Sequence, residues 1–159
     1  MTALQAYRDD GPLAKWVAEK LAIVDGRAEG HSLAWIVPPL LRALEYGFLI
    51  ALTALVEPNA VPFCFAFLAV LAFHHYDVVY RLRYQHAEPP TWVRIAGGGW
   101  DGRIIVASLL ALAGVLGPGL LAAAVVLALV WGAESASSWL RFARTPQATA
   151  HRDWGEEAE

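Results

Sequence analysis

Ionisable side chains occur in short groups along this chain, and most of them lie where an apolar block begins or ends. Two groups pair opposite charges at helical spacing, Arg42 with Glu45 and Asp77 with Arg81. Because residues three or four apart lie side by side on a helix, each pair can neutralise itself. The groups predict either a shared polar cavity or an internal network of ion pairs. The candidates are Arg42, Glu45, His74, His75, Asp77, Tyr80, Arg81, Asp101, Arg103 and Glu134.

Several of these side chains suit proton transfer or metal binding. His74 and His75 are candidate catalytic proton carriers, because histidine titrates closest to neutral pH. Asp77 and Asp101 are candidate catalytic carboxylates. A hard divalent ion such as magnesium or manganese prefers carboxylate oxygens, so we expect it at Asp77, Asp101 and Glu134. The alternative for His74 is structural, with its ring fixing one helix against its neighbours.

The glycine-rich segment 97–103 is the strongest local signal for ligand binding. Glycines allow close approach of the backbone, a helix start exposes free amides, and Arg103 adds donors that suit phosphate oxygens. The pattern matches neither the P-loop nor the dinucleotide fingerprint, and a turn needed only for tight packing explains the glycines as well. We predict a phosphate-binding corner. The candidate substrate-binding residues are Arg42, Glu45, Tyr80, Arg81, Gly99, Trp100 and Arg103.

The elements that must position these residues are predicted to be membrane helices. Of 159 residues, 57% are hydrophobic and 17% are charged, and the apolar residues form long blocks. This composition argues against a disordered chain and against a nucleic-acid-binding protein. We predict an all-α polytopic membrane protein with four transmembrane helices in two hairpins. The predicted spans are 39–56, 61–80, 101–116 and 119–140.

Two turns and one loop are predicted to connect these spans. Glu57-Pro58-Asn59-Ala60 joins the first pair, Gly117-Pro118-Gly119 joins the second, and residues 81–100 form the loop between the hairpins. Without the second turn, the last apolar stretch would be about 45 Å long against a hydrocarbon core of about 30 Å. The Gly-Pro-Gly sequence is therefore predicted to make a hairpin.

The distribution of basic residues predicts the orientation. All 12 Lys and Arg residues fall on the side shared by both termini and the 81–100 loop, or at its membrane boundary. Basic residues near short loops stay on the cytoplasmic side. We therefore expect a multi-pass protein of the cell inner (plasma) membrane with both termini in the cytoplasm.

Three regions follow from this organisation: 1–31, 32–142 and 143–159. Apolar residues at helical spacing from Leu13 to Val24 predict an N-terminal amphipathic helix, either in the membrane interface or on the cytoplasmic face of the protein. Residues 1–31 contain no apolar run of signal-peptide length, so we expect no cleavage there. The polar, acidic residues 143–159 are predicted to be disordered.

Four motifs resemble an uncharacterised membrane domain of actinobacteria, over residues 8–142. In chain order they are Asp9-Asp10-Gly11-Pro12-Leu13-Ala14, Arg42-Ala43-Leu44-Glu45-Tyr46, His74-His75-Tyr76-Asp77 and Gly99-Trp100-Asp101-Gly102-Arg103. In its better-known setting that domain follows a nucleotidyltransferase domain and a CDP-alcohol phosphatidyltransferase domain in one long polypeptide. The resemblance implies a setting in phospholipid or lipid-linked headgroup metabolism, without an established activity. The metal ligands of the CDP-alcohol phosphotransferases are not transferred, because the second half of their signature is absent.

Two functions remain open at this point. The first is a membrane-embedded enzyme, a phospholipid or lipid-linked transferase, acting at the cytoplasmic leaflet on a phosphorylated or nucleotide-activated headgroup. The second is a non-catalytic membrane subunit that recruits or stabilises a lipid-biosynthetic partner enzyme. A transporter fits less well, because the polar groups are confined to one half of the membrane. Expected partners are the bilayer, such a substrate or enzyme, and a second copy of the chain in a homodimer; nucleic acid is not expected.

Overall fold

The computed structural model describes residues 11, 16 and 37–144. The amphipathic helix predicted within 1–31 and the tail predicted for 143–159 lie almost entirely outside the described residues. Trp16 is helical and about half exposed.

The described residues fold into α-helices and helical turns, with no strand among them, which confirms the all-α prediction. A 3-10 turn at Pro58–Ala60 joins the first two helices, and a π-helical turn at Arg81–Gln85 extends the second. The helices are α1 (Val37–Val56), α2 (Val61–Tyr80), α3 (Thr91–Ala96), α4 (Gly99–Leu112) and α5 (Leu116–Phe142).

Within the described ranges, four helical segments are long and apolar enough to cross a membrane. This confirms a polytopic membrane protein with four candidate spans. The predicted bounds of the second span, 61–80, coincide with those of α2, and the first turn lies where it was expected. The four segments are Pro39–Val56, Pro58–Gln85, Thr91–Leu112 and Leu116–Phe142.

The third span is a broken helix, so the prediction of a loop over 81–100 was wrong for its second half. With 14 residues, α4 alone is about 21 Å long, which is shorter than the hydrocarbon core of about 30 Å. The short helix α3 supplies the rest. The two helices meet at Gly98 and Gly99, whose φ angles of 68° and 71° are readily adopted by glycine. Hydropathy alone does not reveal this arrangement, because a segment that contains Arg94 and three consecutive glycines resembles a loop in its composition.

The second hairpin turns at Gly114 instead of at the predicted Gly-Pro-Gly sequence. The Gly114 amide donates to the Ala111 carbonyl at 3.1 Å, and the Val115 amide donates to the Leu110 carbonyl at 3.0 Å. This is a Schellman motif, in which a residue with positive φ ends the helix. Pro118 instead lies in the first turn of α5, where a proline is tolerated because that turn lacks intrahelical partners for its N–H groups.

The core lies where α2 packs on α5, while α1 packs on α2 and α4. Leu49, Leu71, Ala107 and Trp131 are buried there, one from each of the four spans. Lipid is as apolar as these side chains, so close packing and polar contacts must favour helix association. One end of the bundle carries the buried charged residues Glu45, Asp77, Arg81, Asp101 and Arg103 and is here called the charged end. These residues supply many of the polar contacts.

At the end of the bundle opposite to the charged end, Glu57 joins the two hairpins. Its Oε2 atom accepts a hydrogen bond of 2.9 Å from the Gly117 amide in the first turn of α5. A carboxylate is favourable at a helix N-terminus. There is no room for a side chain at Gly117, because a Cβ atom would lie 2.8 Å from Glu57 Oε1 and 3.0 Å from Ala60 Cβ.

Gly117→Val is expected to lower the free energy of unfolding by about 1–3 kcal/mol, because the new side chain forces the hairpins apart. Denaturation of the purified protein in detergent measures this loss. Gly47→Val is the matched control, since a Cβ atom at Gly47 meets nothing within 4 Å. Equal stability of the two variants would contradict the described contact.

Candidate functional site

The buried charges form two guanidinium–carboxylate clusters at the charged end of the bundle. The first cluster consists of Arg42, Glu45 and Arg103, and the second consists of Asp77, Arg81 and Glu134. The sequence predicted the pairs within each helix, Arg42 with Glu45 and Asp77 with Arg81, and both are confirmed.

In the first cluster, two guanidinium groups share one carboxylate. Glu45 has no exposed surface; its Oε2 lies 2.6 Å from Arg42 NH1 and its Oε1 lies 2.5 Å from Arg103 Nε. Arg103 also donates from NH1 to the Gly97 carbonyl at 3.1 Å. The cluster therefore joins α1 to α4 and satisfies a carbonyl at the break between α3 and α4. Irregular backbone at this depth requires such a partner.

In the second cluster, one guanidinium group lies between two carboxylates. Arg81 donates NH1 to Glu134 Oε1 at 2.9 Å and NH2 to Glu134 Oε2 at 2.5 Å, which is a bidentate pair. Its Nε lies 2.8 Å from Asp77 Oδ2. Asp77 Oδ1 accepts hydrogen bonds from Ser135 Oγ at 2.7 Å and from Trp139 Nε1 at 2.8 Å. The cluster thus joins α2 to α5.

The two histidines have different surroundings. His74 is buried and stacks on Trp131, with ring centroids 4.0 Å apart and an interplanar angle of 16°. The indole of Trp131 donates to the Val93 carbonyl at 3.2 Å, so the stack connects α2, α5 and α3. His75 is half-buried, and its Nδ1 shares a hydrogen bond of 3.2 Å with the hydroxyl of Tyr46. The contacts of His74 match the structural alternative for this residue.

At the glycine-rich corner, Asp101 binds the backbone of the N-terminal segment. Its Oδ1 atom accepts a buried hydrogen bond of 2.7 Å from the Gly11 amide. A Cβ atom at Gly11 would collide with this carboxylate oxygen and with the Gly98 carbonyl. Gly99 is buried and Trp100 is half-buried, both in the first turn of α4. The structure therefore places Gly11 against the start of α4.

Tyr80, a further candidate for substrate binding, lies in a ladder of aromatic rings along α2. Its ring centroid is 4.3 Å from that of Tyr76 and 5.6 Å from that of Tyr84. Tyr76 and Tyr84 are exposed, so the ladder forms an outer surface at the charged end.

The carboxylates predicted to bind a divalent ion do not gather at one point. Among the described residues there is no group of three His, Cys, Asp or Glu side chains that could hold a metal ion. Asp77 and Glu134 both contact Arg81, and Asp101 accepts a backbone amide. The donors are of the type that magnesium and manganese prefer, but these three carboxylates are not arranged as one set of ligands. Metal binding by these residues stays a prediction from the sequence.

Among the side chains of α5, the sequence predicted a site role for Glu134 but not for the three others that complete these contacts. Trp131, Ser135 and Trp139 contact His74 or Asp77 across the interface between α5 and α2. They are spaced by four residues, which places them on one face of a helix. That spacing of polar and aromatic residues within an apolar span is the signal that could have identified them.

These features define a helical membrane protein with four candidate spans and two closed clusters of buried charges at one end. By sequence, the chain belongs to DUF5941, a family of unknown function whose match covers residues 22–158. Neither a curated protein nor a solved structure shows significant similarity to the chain. The family is consistent with the resemblance to an uncharacterised domain, and the fused nucleotidyltransferase and phosphatidyltransferase domains stay a prediction.

Glu45→Gln is expected to lower the free energy of unfolding by about 3–5 kcal/mol, because two buried guanidinium groups lose their shared countercharge. Arg103→Gln should also be destabilising. The double variant should lose less free energy of unfolding than the sum of the two single losses, with a coupling free energy of about 0.5–3 kcal/mol. Denaturation in detergent measures all three values.

The control for this double-mutant cycle is Arg83→Gln, since the Arg83 side chain is exposed. It should change the free energy of unfolding by no more than about 0.5 kcal/mol. Additive effects of the Glu45 and Arg103 substitutions would contradict the pairing of these side chains.

Proposed function

We propose that this protein is a non-catalytic membrane subunit that stabilises or recruits a lipid-biosynthetic partner enzyme. The observation that carries the proposal is the closure of both charge clusters. Every carboxylate that a catalytic site would use already binds a guanidinium, hydroxyl, indole or backbone N–H group.

The burial of these groups supports a structural role. Glu45, Asp77, Arg81 and Arg103 are all less than a tenth exposed, so a substrate would have to separate an ion pair to reach them. Removing one partner of a buried pair costs about 3–5 kcal/mol, a cost that a binding site would have to overcome at every turnover. A general acid or base instead lies within hydrogen-bonding reach of the substrate.

The clusters would give the subunit a defined surface. In lipid the hydrophobic effect does not favour association of helices. Ion pairs between the helices would therefore specify one packing arrangement. The fixed bundle presents exposed aromatic side chains at the charged end, among them Tyr76, Tyr84 and Trp92. Tyrosine and tryptophan suit the membrane–water interface, where a membrane-bound enzyme would meet this surface.

The setting of the subunit follows from the sequence. The resemblance to a domain fused to lipid-synthesising enzymes supports a partner of that class and an actinobacterial origin. The clustering of all 12 basic residues on one side supports a plasma-membrane protein with both termini in the cytoplasm.

One observation favours the second function, a phospholipid or lipid-linked transferase. His75 is half-buried and shares a hydrogen bond with Tyr46, which lies four residues from Arg42 on α1. Arg42 keeps 15% of its side chain exposed. In an enzyme, this histidine would transfer the proton while the arginine contacts a phosphate group.

The two functions differ in what happens when charges are removed without loss of folding. In membranes from a strain that lacks the chain, labelling of lipids with radioactive phosphate should be restored by the wild-type protein. We expect the folded variants Glu45→Gln/Arg103→Gln and His75→Ala to restore it equally at matched protein amounts. The purified chain alone in nanodiscs should show no turnover, and crosslinking should join it to a lipid-synthesising enzyme. Loss of labelling with folded His75→Ala would refute the subunit and favour the transferase.

The orientation has a separate test. Green fluorescent protein fused after Glu159 should fluoresce, and alkaline phosphatase fused there should be inactive, because basic residues are retained in the cytoplasm. The matched fusion points lie in the turn at Pro58–Ala60, where the phosphatase should be active and the fluorescent protein dark. The reverse pattern would overturn the proposed orientation.

A further inference from the structure

The break between α3 and α4 lies inside the third candidate span, and its residues have no side chains to cover their own backbone. Gly97, Gly98 and Gly99 form the break, and the span that contains it is Thr91–Leu112. Irregular backbone within a membrane span is tolerated only where protein buries it or where it lines a cavity filled with water. Other parts of the chain must therefore cover these glycines.

Two of the covering groups belong to the helices of the bundle. Arg103 donates a hydrogen bond of 3.1 Å to the Gly97 carbonyl. The ring of Trp131 packs so closely that a Cβ atom at Gly97 would lie 2.9 Å from its Cζ2 atom. Both groups act on Gly97, which is the side of the break where α3 ends.

Gly11 covers the other side of the break, where α4 begins. It is buried, and its amide donates a hydrogen bond of 2.7 Å to Asp101 Oδ1 in the first turn of α4. A Cβ atom at Gly11 would collide with this oxygen and with the Gly98 carbonyl oxygen, so only glycine fits here without a shift. Gly98 is the N-cap of α4, and the carbonyl of an N-cap accepts the first hydrogen bond of its helix. Gly11 therefore packs against the group that starts α4.

The local sequence leaves the Gly11 amide available for this contact. Pro12 follows Gly11, and the residue before a proline is disfavoured in the helical region of backbone angles. Gly11 accordingly lies outside any helix. A buried amide that no helix uses needs another acceptor, and the Asp101 carboxylate supplies it. Because this acceptor is a carboxylate, the hydrogen bond is stronger than one between neutral groups.

We propose that the N-terminal segment acts as a strap, held at Gly11 by Asp101, that seals the break in the third span. Asp101 is then a positioning residue for the strap, a role that differs from the catalytic and metal-binding roles predicted from the sequence. The family match begins at residue 22, so the strap would extend the membrane domain beyond that match. The strap requires neither a partner enzyme nor a substrate, so it stands or falls separately from the subunit proposed above.

Amide hydrogen exchange of the full chain in detergent micelles tests the strap at single residues. Glycine follows aspartate at Gly11, Gly26 and Gly102, so selective isotope labelling of aspartate carbonyls and glycine amides isolates these NMR signals. Gly11 reports on the anchor, Gly102 reports on the first turn of α4, and Gly26 is an internal reference. In the wild-type protein the Gly11 amide should exchange at least about tenfold more slowly than an unprotected amide, because its hydrogen bond is buried.

Two substitutions release the strap from opposite sides. In Asp101→Ala, which lacks the acceptor, the Gly11 amide should exchange about tenfold faster, the effect of losing a hydrogen bond to a charged group. Asp101→Asn keeps an oxygen acceptor and should give an intermediate rate. In Gly11→Ala the new Cβ atom displaces the strap, and the Gly102 amide should exchange about tenfold faster because the start of α4 is uncovered. Gly47→Ala is the matched control and should change no signal, since a Cβ atom there meets nothing within 4 Å.

The two substitutions separate the anchor from the seal, and Gly11→Ala still decides the question where Asp101→Ala does not fold. Equal exchange of the Gly11 amide in the wild-type protein and in Asp101→Ala would show that Asp101 does not hold the strap. An unchanged rate at Gly102 in Gly11→Ala would show that the strap does not seal the break. Either result refutes the proposal.

Discussion

The carboxylate of Glu45 lies between guanidinium groups of two helices, and the arrangement of the charged end depends on this interaction. In a medium of low dielectric constant, neither charge is stable alone, and their attraction is stronger than in water. The position of α4 relative to α1 is therefore fixed where Arg103 can reach Glu45. The same guanidinium binds the Gly97 carbonyl, so one side chain joins helix packing to the break in the third span.

Three polar links that involve charged side chains contribute to the arrangement of the four spans. The first cluster joins α1 to α4, the second joins α2 to α5, and Glu57 joins the two hairpins at the opposite end. The hydrogen bonds of Tyr46 with His75 and of Trp131 with the Val93 carbonyl add to these links, and close packing of apolar side chains holds the helices elsewhere.

Much of the fold was predictable because hydropathy and turn signals are local. The bounds of α2 and the turn at Pro58–Ala60 agree with the prediction. The break in the third span was not predictable, because a glycine-rich segment with Arg94 resembles a loop exposed to water. Only the structure shows that Arg103 donates a hydrogen bond to the Gly97 carbonyl of that segment. The second turn was misplaced because Pro118 reads as a helix breaker, although a proline is tolerated in the first turn of a helix. For the candidate site, the local pairs were predictable and the contacts of Trp131 were not.

The sequence by itself determined four apolar spans, the concentration of charge at one end, and the pairing of Arg42 with Glu45 and of Asp77 with Arg81. These follow from residue type and from helical spacing of three or four residues. Only the tertiary structure decided that Arg103 binds Glu45 and that Arg81 binds Glu134, across 58 and 53 residues of sequence. The reason is physical: which faces of two helices meet depends on the packing of all four spans, and only that packing decides whether a buried charge faces a ligand or another side chain.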